Sequence, residues 1–268
     1  MRQSRYERRN LLLFFLIAFA WSWALWLSEI LFDLHLYLAP FGPTIAAFIL
    51  VFMTARRRGI KELLMRAFDI RFKKIWLIPI FFLMPAIVGF SLLLSVMSGD
   101  PVPELEVLSE PAVIIPAFFY ILFLGGPVAE EFGWRGYALD RLQARYSALL
   151  SSILLGIVWG LWHLPLFFME EQEIYRNVPI AGFILGTIFL SILFTWIYNN
   201  TNGSILAVLL FHTTGNLAHF IFPAMGTTWG GLYSVILNVI VVALVLIIWG
   251  PKKMVREKTP KISSSNGG

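Results

Sequence analysis

Eight apolar stretches, each about as long as a membrane-spanning helix, constrain this chain more than any other feature. A helix needs about 20 mostly apolar residues to cross the hydrocarbon core of a bilayer. The stretches cover residues 11–31, 36–53, 75–97, 112–129, 148–169, 180–198, 204–222 and 231–249. Only 14% of the 268 residues are charged, whereas about 25% are charged in a soluble domain. The sequence therefore predicts an all-α fold, a polytopic membrane helix bundle with about eight transmembrane helices.

The distribution of Lys and Arg predicts the orientation of the bundle. If the eight stretches alternate in direction, all 21 basic residues except Arg176 fall on one side of the membrane. Loops rich in Lys and Arg stay in the cytoplasm, so both termini are expected to be cytoplasmic. The net charge is +5, and the basic loop expected at residues 56–74 indicates attraction to the anionic headgroups of membrane lipids. Nucleic acid is not expected as a partner, because no stacking aromatic residues or recognition fold accompany the charge.

The domain organisation is expected to be simple. Residues 1–250 are predicted to form a single transmembrane domain, and residues 251–268 a basic and then disordered cytoplasmic tail. Cysteine is absent from the sequence, which excludes a thiolate nucleophile and a cysteine-ligated metal site.

Charged residues inside an apolar stretch are costly and are functional candidates by default. The sequence at residues 125–127, Gly-Gly-Pro, is expected to break the fourth stretch and to start a new helix. On that helix Glu131 and Arg135 are four residues apart and can pair on one face. Glu130 lies about 100° around the helix, without that partner and directed toward a cavity. The alternative is a charged helix end at the membrane surface, with both glutamates solvated.

Two histidine motifs lie in later stretches. His163 follows Trp159 by one helical turn, and His212 precedes Asn216 by one turn, so each pair shares a helix face. At 1.5 Å per residue, Glu130, His163 and His212 lie about 16, 21 and 12 Å from the cytoplasmic surface. These similar depths are compatible with one shared cavity. The alternatives are packing for His163 and interhelical hydrogen bonds for His212 and Asn216.

Together these residues resemble the type II CAAX prenyl endopeptidase and bacteriocin-processing (Abi, or CPBP) family of intramembrane proteases. The signatures of that family are Glu-Glu-x-x-x-Arg, Phe-x-x-x-His and His-x-x-x-Asn or -Asp on successive helices. They occur here in that order, at Glu130, Glu131 and Arg135, at His163, and at His212 and Asn216. Trp159 replaces the phenylalanine of the second signature. The resemblance covers residues 112–222.

The resemblance implies a catalytic site for peptide hydrolysis. Glu130 with His163 would hold and deprotonate a water molecule, and His212 with Asn216 would stabilise the oxyanion that develops. The ion pair of Glu131 with Arg135 would stabilise the helix that carries Glu130. The family implies a lipidated protein tail or a bacteriocin-type peptide as substrate, and the plasma membrane of a prokaryote as location.

Two questions stay open at this stage. No metal cofactor is expected to be required, because the His-Glu-x-x-His helix of zinc peptidases is absent from the sequence. A zinc ion held by Glu130, His163 and His212 is the alternative. The same intramembrane residues would also suit a transporter or channel, or a non-catalytic immunity or scaffold protein.

Overall fold

The structure, a computed structural model, describes residues 2–34, 37–170, 172, 175 and 178–256. Within these residues helices and turns account for the fold, without strands, which confirms the all-α prediction. The helices are α1 (Arg2–Phe32), α2 (Gly42–Arg66), α3 (Leu77–Met97), α4 (Glu106–Ser109), α5 (Ile114–Leu124), α6 (Pro127–Gly133), α7 (Asp140–Gln143), α8 (Ala148–Trp162), α9 (Ile180–Asn200), α10 (Ile205–Ile221) and α11 (Gly230–Trp249). A π-helical segment, Trp134–Leu139, joins α6 to α7.

The lengths of the helices are those of a multi-pass membrane protein. Six helices in the described part of the chain are long and apolar enough to cross a bilayer, and a bent pair, Pro111–Leu124 with Pro127–Gln143, brings the number to seven. The remaining predicted stretch is the 17-residue helix Ile205–Ile221. The count of eight spans and the cytoplasmic orientation of the termini stay predictions.

The boundaries differ from the sequence prediction in two places. Helix α2 continues to Arg66, through residues expected to form a basic loop, but Arg56 interrupts it with φ 55° and ψ −149°. Helix α8 ends at Trp162, earlier than the predicted end at residue 169, and a 3₁₀ turn, Leu164–Phe168, follows. Pro165 explains this end, since a proline disfavours helical geometry in the residue before it.

Small residues join α8 to α9. They recur every four residues along one face of α8, at Ala148, Ser152, Gly156 and Gly160. The backbones approach so closely at Gly156 that a Cβ atom there would lie 2.6 Å from the Cα of Ile188. The Ser152 hydroxyl donates to the Thr195 hydroxyl at 2.7 Å. Such small-residue contacts stabilise helix pairs in membranes, and this one fixes the position of the end of α8.

The segment from α6 through the π-helical turn lies at the centre of the bundle. Every residue from 129 to 139 is buried. The π-helical turn packs against α2, α8, α9 and α10. From α1, the ring of Phe14 stacks on Tyr137 with centroids 5.1 Å apart and meets Trp134 edge-on at 5.6 Å. Because other helices surround this segment, its polar side chains can lie away from the lipid.

Arg66 fastens α2 to the central segment. Its guanidinium donates to the carbonyl oxygens of Gly136 at 3.2 Å and Gly203 at 3.0 Å, and it forms an ion pair with Asp140 at 3.1 Å. It also donates to the Tyr198 hydroxyl. One side chain thus connects four parts of the chain at one end of the bundle.

The first residues of the predicted tail pack against that same end. The Lys252 carbonyl accepts from the backbone N–H of Ala148 at 2.8 Å. The side-chain amides of Asn199 and Asn200 donate to the carbonyls of Lys253 and Met254, at 2.8 and 2.7 Å. Residues 257–268, which include the segment predicted to be disordered, lie outside the described residues.

Candidate active site

Glu130 lies in the first turn of α6, directly after the break in the fourth apolar stretch. Gly126 has φ 111°, a conformation that favours glycine. A Cβ atom there would also lie 2.7 Å from the Oε1 atom of Glu130. Glu130 is 5% exposed, and its Oε2 atom accepts hydrogen bonds from the indole N–H groups of Trp159 at 2.6 Å and Trp134 at 3.3 Å. Both indoles therefore hold one oxygen and leave Oε1 facing the helix break.

His163 is the C-cap residue that follows α8. Its Nδ1 atom lies 2.8 Å from the carbonyl oxygen of Trp159. Since a carbonyl oxygen only accepts, Nδ1 carries the proton and a neutral ring presents an unprotonated Nε2. The ring is surrounded by aromatic side chains, with Trp162 at 4.7 Å, Phe183 at 5.3 Å and Tyr175 stacked at 6.0 Å between centroids. The orientation of the imidazole is thus set on every side by packing.

Glu131 and Arg135 form the ion pair that their spacing predicts. Nη1 of Arg135 donates to both carboxylate oxygens, at 2.8 and 3.0 Å, and both side chains are fully buried. The Nε and Nη2 atoms of Arg135 have no hydrogen-bond acceptor among the described residues. The guanidinium carbon lies instead 3.8 Å from the centroid of the Phe194 ring and 4.7 Å from that of Trp159, where cation–π attraction stabilises its charge.

His212 is attached to this ion pair. Its Nδ1 atom donates to the Oε1 atom of Glu131 at 2.8 Å, and its ring meets Trp159 and Phe194 edge-on at 5.7 and 5.4 Å. Because the carboxylate of Glu131 can only accept when ionised, Nδ1 of His212 is protonated, and its Nε2 atom lies on the opposite side of the ring.

Asn216 lies one turn beyond His212 and binds the helix break. Its side-chain amide donates to the carbonyl oxygen of Gly125 at 3.2 Å. This bond satisfies a carbonyl that the break at Gly126 leaves without a helical partner. The third sequence motif is therefore bonded to the helix break that precedes the first motif.

The predicted site residues form two connected groups. In one, Trp159 binds Glu130 through its indole and His163 through its carbonyl oxygen. In the other, Glu131 binds Arg135 and His212. The two glutamates are adjacent in sequence and the ring of Trp159 contacts both histidines, so the groups share one location.

Three residues that contact the predicted site were not predicted from the sequence: Trp134, Tyr175 and Phe194. Trp134 follows Glu130 by four residues, so its position on the same helix face could have indicated a contact. The contacts of Tyr175 and Phe194 depend on how separate segments pack, and no spacing in the sequence indicates them.

The zinc alternative lacks an assembled ligand set in this arrangement. In the described residues there is no group of three or more His, Asp or Glu side chains placed to hold a metal ion. The Nδ1 atoms of both histidines are used in hydrogen bonds to a carbonyl and a carboxylate oxygen, so Nε2 is the atom with which either ring could bind a metal ion.

The fold and the site define a multi-pass membrane protein with a buried glutamate and histidine centre. Residues 112–218, from α5 to α10, match the family described as type II CAAX prenyl endopeptidase Rce1-like. CAAX prenyl protease 2 of Methanococcus maripaludis is 34% identical over 185 residues, which are 66% of this chain and 68% of that protein. The chain belongs to the type II CAAX prenyl endopeptidase family of membrane proteases, which confirms the resemblance drawn from the three motifs.

Proposed function

We propose that this protein is an intramembrane endopeptidase that hydrolyses a peptide bond with a water molecule activated by Glu130 and His163. The observation that carries the proposal is that one residue, Trp159, forms hydrogen bonds with both Glu130 and His163. Trp159 donates to the carboxylate of Glu130 at 2.6 Å and accepts from Nδ1 of His163 at 2.8 Å. A water molecule between Oε1 of Glu130 and Nε2 of His163 would meet two acceptors, as a water about to lose a proton requires.

The reaction would begin with transfer of one water proton to Glu130. The resulting hydroxide attacks the carbonyl carbon of the peptide bond, and the carbonyl oxygen becomes an oxyanion. Glu130 then returns its proton to the amide nitrogen as the C–N bond breaks, which releases a carboxylic acid and an amine. Glu130 suits this role because its nearest donors are neutral indoles, whereas Glu131 is neutralised by Arg135.

Stabilisation of the oxyanion is assigned to His212 and Asn216. Asn216 uses one amide hydrogen on Gly125 and has a second to donate. When the ring of His212 carries both protons, Nε2–H can donate to the oxyanion while Glu131 stabilises the positive charge of the ring. Glu131 and Arg135 would then position this group without contacting substrate.

The substrate we propose is the C-terminal region of a lipidated protein. The archaeal relative is named as a CAAX prenyl protease, and a site within a helix bundle suits a peptide held at the membrane by its lipid. A bacteriocin-type peptide is the second candidate from the family. We further propose that the protein lies in the plasma membrane of a prokaryote with both termini in the cytoplasm.

The test is cleavage of a farnesylated CAAX peptide and of its unlipidated counterpart by purified variants. Glu130→Gln and His163→Ala are expected to lower kcat by about 10²–10⁴-fold, the usual contribution of a general acid–base group. Glu104→Gln, an exposed residue between α3 and α4, is the matched control and should keep full activity. Full turnover by Glu130→Gln would refute the mechanism, and cleavage of neither peptide by the unmodified protein would refute the proposed substrate.

A further inference from the structure

Three tryptophans mark the level of the membrane interface at one end of the bundle. Trp196 meets Trp76 at 4.9 Å and Trp249 at 5.0 Å between ring centroids, and Trp76 lies 6.3 Å from Trp249. Tryptophan is enriched where hydrocarbon meets the headgroup layer. The three belong to the beginning of one candidate span and the ends of two others, which is where that layer is expected.

A basic turn begins directly at this level. Helix α11 ends at Trp249, and Gly250 with φ 71° turns the chain out of the helix. The residues that follow are held by backbone bonds to α8 and by the asparagines at the end of α9, as described above. The side chains of Lys252, Lys253 and Arg256 are exposed, so the turn presents three positive charges from a fixed backbone.

These three side chains line a cavity of about 350 Å³ together with Ile248 and Trp249. This volume is within the range of about 300–1,000 Å³ for sites that bind small molecules. The guanidinium carbon of Arg256 lies 5.3 Å from the centroid of the Trp249 ring. The lining of the cavity therefore combines basic side chains with an apolar wall.

The apolar wall continues along the outside of α11. Ile240, Leu244 and Ile247 are spaced by about one turn each, and 49%, 51% and 79% of their respective surfaces are exposed. These residues lie on a helix that is long and apolar enough to span the bilayer. An acyl chain can follow this strip up to Ile248, where the basic cavity begins.

We propose that this cavity is a binding site for an anionic phospholipid, with the phosphate on Lys252, Lys253 and Arg256 and one acyl chain along α11. Basic clusters at the membrane surface attract anionic headgroups. Phosphate is the group recognised, and a free phosphate ion could meet the same cations. A free phosphate ion has no apolar part that could contact the strip beside the cavity, whereas a phospholipid has acyl chains, so the strip favours the lipid. The proposal does not depend on the peptidase activity.

The test measures lipid binding to the full-length protein in detergent by native mass spectrometry, with phosphatidylglycerol and phosphatidylcholine as probes. Each Lys or Arg near the surface contributes roughly fivefold to binding, so the triple variant Lys252→Gln, Lys253→Gln, Arg256→Gln should bind phosphatidylglycerol about a hundredfold more weakly. The single variant Arg256→Gln should bind phosphatidylglycerol about fivefold more weakly. It replaces the triple variant in this test if the triple variant does not fold. Phosphatidylcholine should bind weakly to all of them.

The matched control removes the same charge from a different surface. Arg57, Arg58 and Lys61 of α2 are exposed and do not line the cavity, so their replacement by Gln should weaken phosphatidylglycerol binding far less than the triple variant does. An equal loss in this control would overturn the proposal, because it would show attraction by net charge alone. Competition by inorganic phosphate or by deacylated glycerophosphoglycerol at the same concentration as the intact lipid would also overturn it, because the acyl chain would then contribute nothing.

Discussion

Replacement of Arg135 by Gln tests how far the buried ion pair stabilises the fold. Glu131 and Arg135 are both completely buried, and the arginine also lies against two aromatic rings. The variant would leave the carboxylate of Glu131 buried with His212 as its remaining partner. Removing one member of a buried ion pair costs about 3–5 kcal/mol. For a chain of this size we expect the midpoint of thermal unfolding to fall by roughly 6–20 °C.

The chain contains a matched control with the same spacing. Arg58 and Glu62 form an ion pair of 2.9 Å four residues apart, but 89% and 56% of their side-chain surfaces are exposed. Such a pair contributes about 0.3–0.5 kcal/mol, so Arg58→Gln should shift the midpoint by no more than about 2 °C.

Tryptophan fluorescence during thermal unfolding in detergent would measure the unfolding midpoints of both variants. The double variant Glu131→Gln, Arg135→Gln, which removes the buried charge, should recover part of the lost stability. Equal midpoints for Arg135→Gln and Arg58→Gln would refute the argument that burial determines the contribution of this pair.

Three further predictions concern single residues. Trp159→Phe keeps an aromatic ring but removes the donor to Glu130, so kcat should fall by about 10–100-fold with little change in unfolding midpoint, measured against the unmodified protein. Gly126→Ala should abolish cleavage, because it places a methyl group 2.7 Å from the Glu130 carboxylate; Gly99→Ala has a similar φ of 102° with open space around it and should remain active. The Ser95 hydroxyl and the Trp229 N–H hold the pKa of Asp100 below its usual value, so its stabilising effect is present above about pH 4 and is lost as the pH falls further. Asp100→Asn should remove that part of the pH dependence of unfolding, and an unchanged acid profile would show that these bonds contribute nothing.

The parts of the site that lie within one helix could be predicted from sequence. The four-residue spacing of Glu131 and Arg135 fixes their pairing wherever the helix lies, and residues 125–127 contain the conformational reasons for a break. The all-α fold followed from the apolar stretches for the same reason, since a segment in lipid must satisfy its own backbone hydrogen bonds.

The parts that depend on packing between helices could not be predicted. The bond from Trp159 to Glu130 joins residues 29 positions apart, and it depends on how two separate helices pack. The interruption of α2 at Arg56 also has no sequence signal, because a positive φ is uncommon for arginine. The fold of residues 251–256 against the bundle depends on hydrogen-bond donors supplied by two other helices.

The burial of residues 129 to 139 has a consequence for the behaviour of the protein in different membranes. Helices at the periphery respond to a thicker or thinner bilayer by tilting, but a segment enclosed by protein has no lipid-facing surface on which such a mismatch acts. The groups that we propose for catalysis lie on this segment and on the helices that enclose it. The site is therefore insulated from variation in acyl-chain length, and the surrounding helices absorb the adjustment.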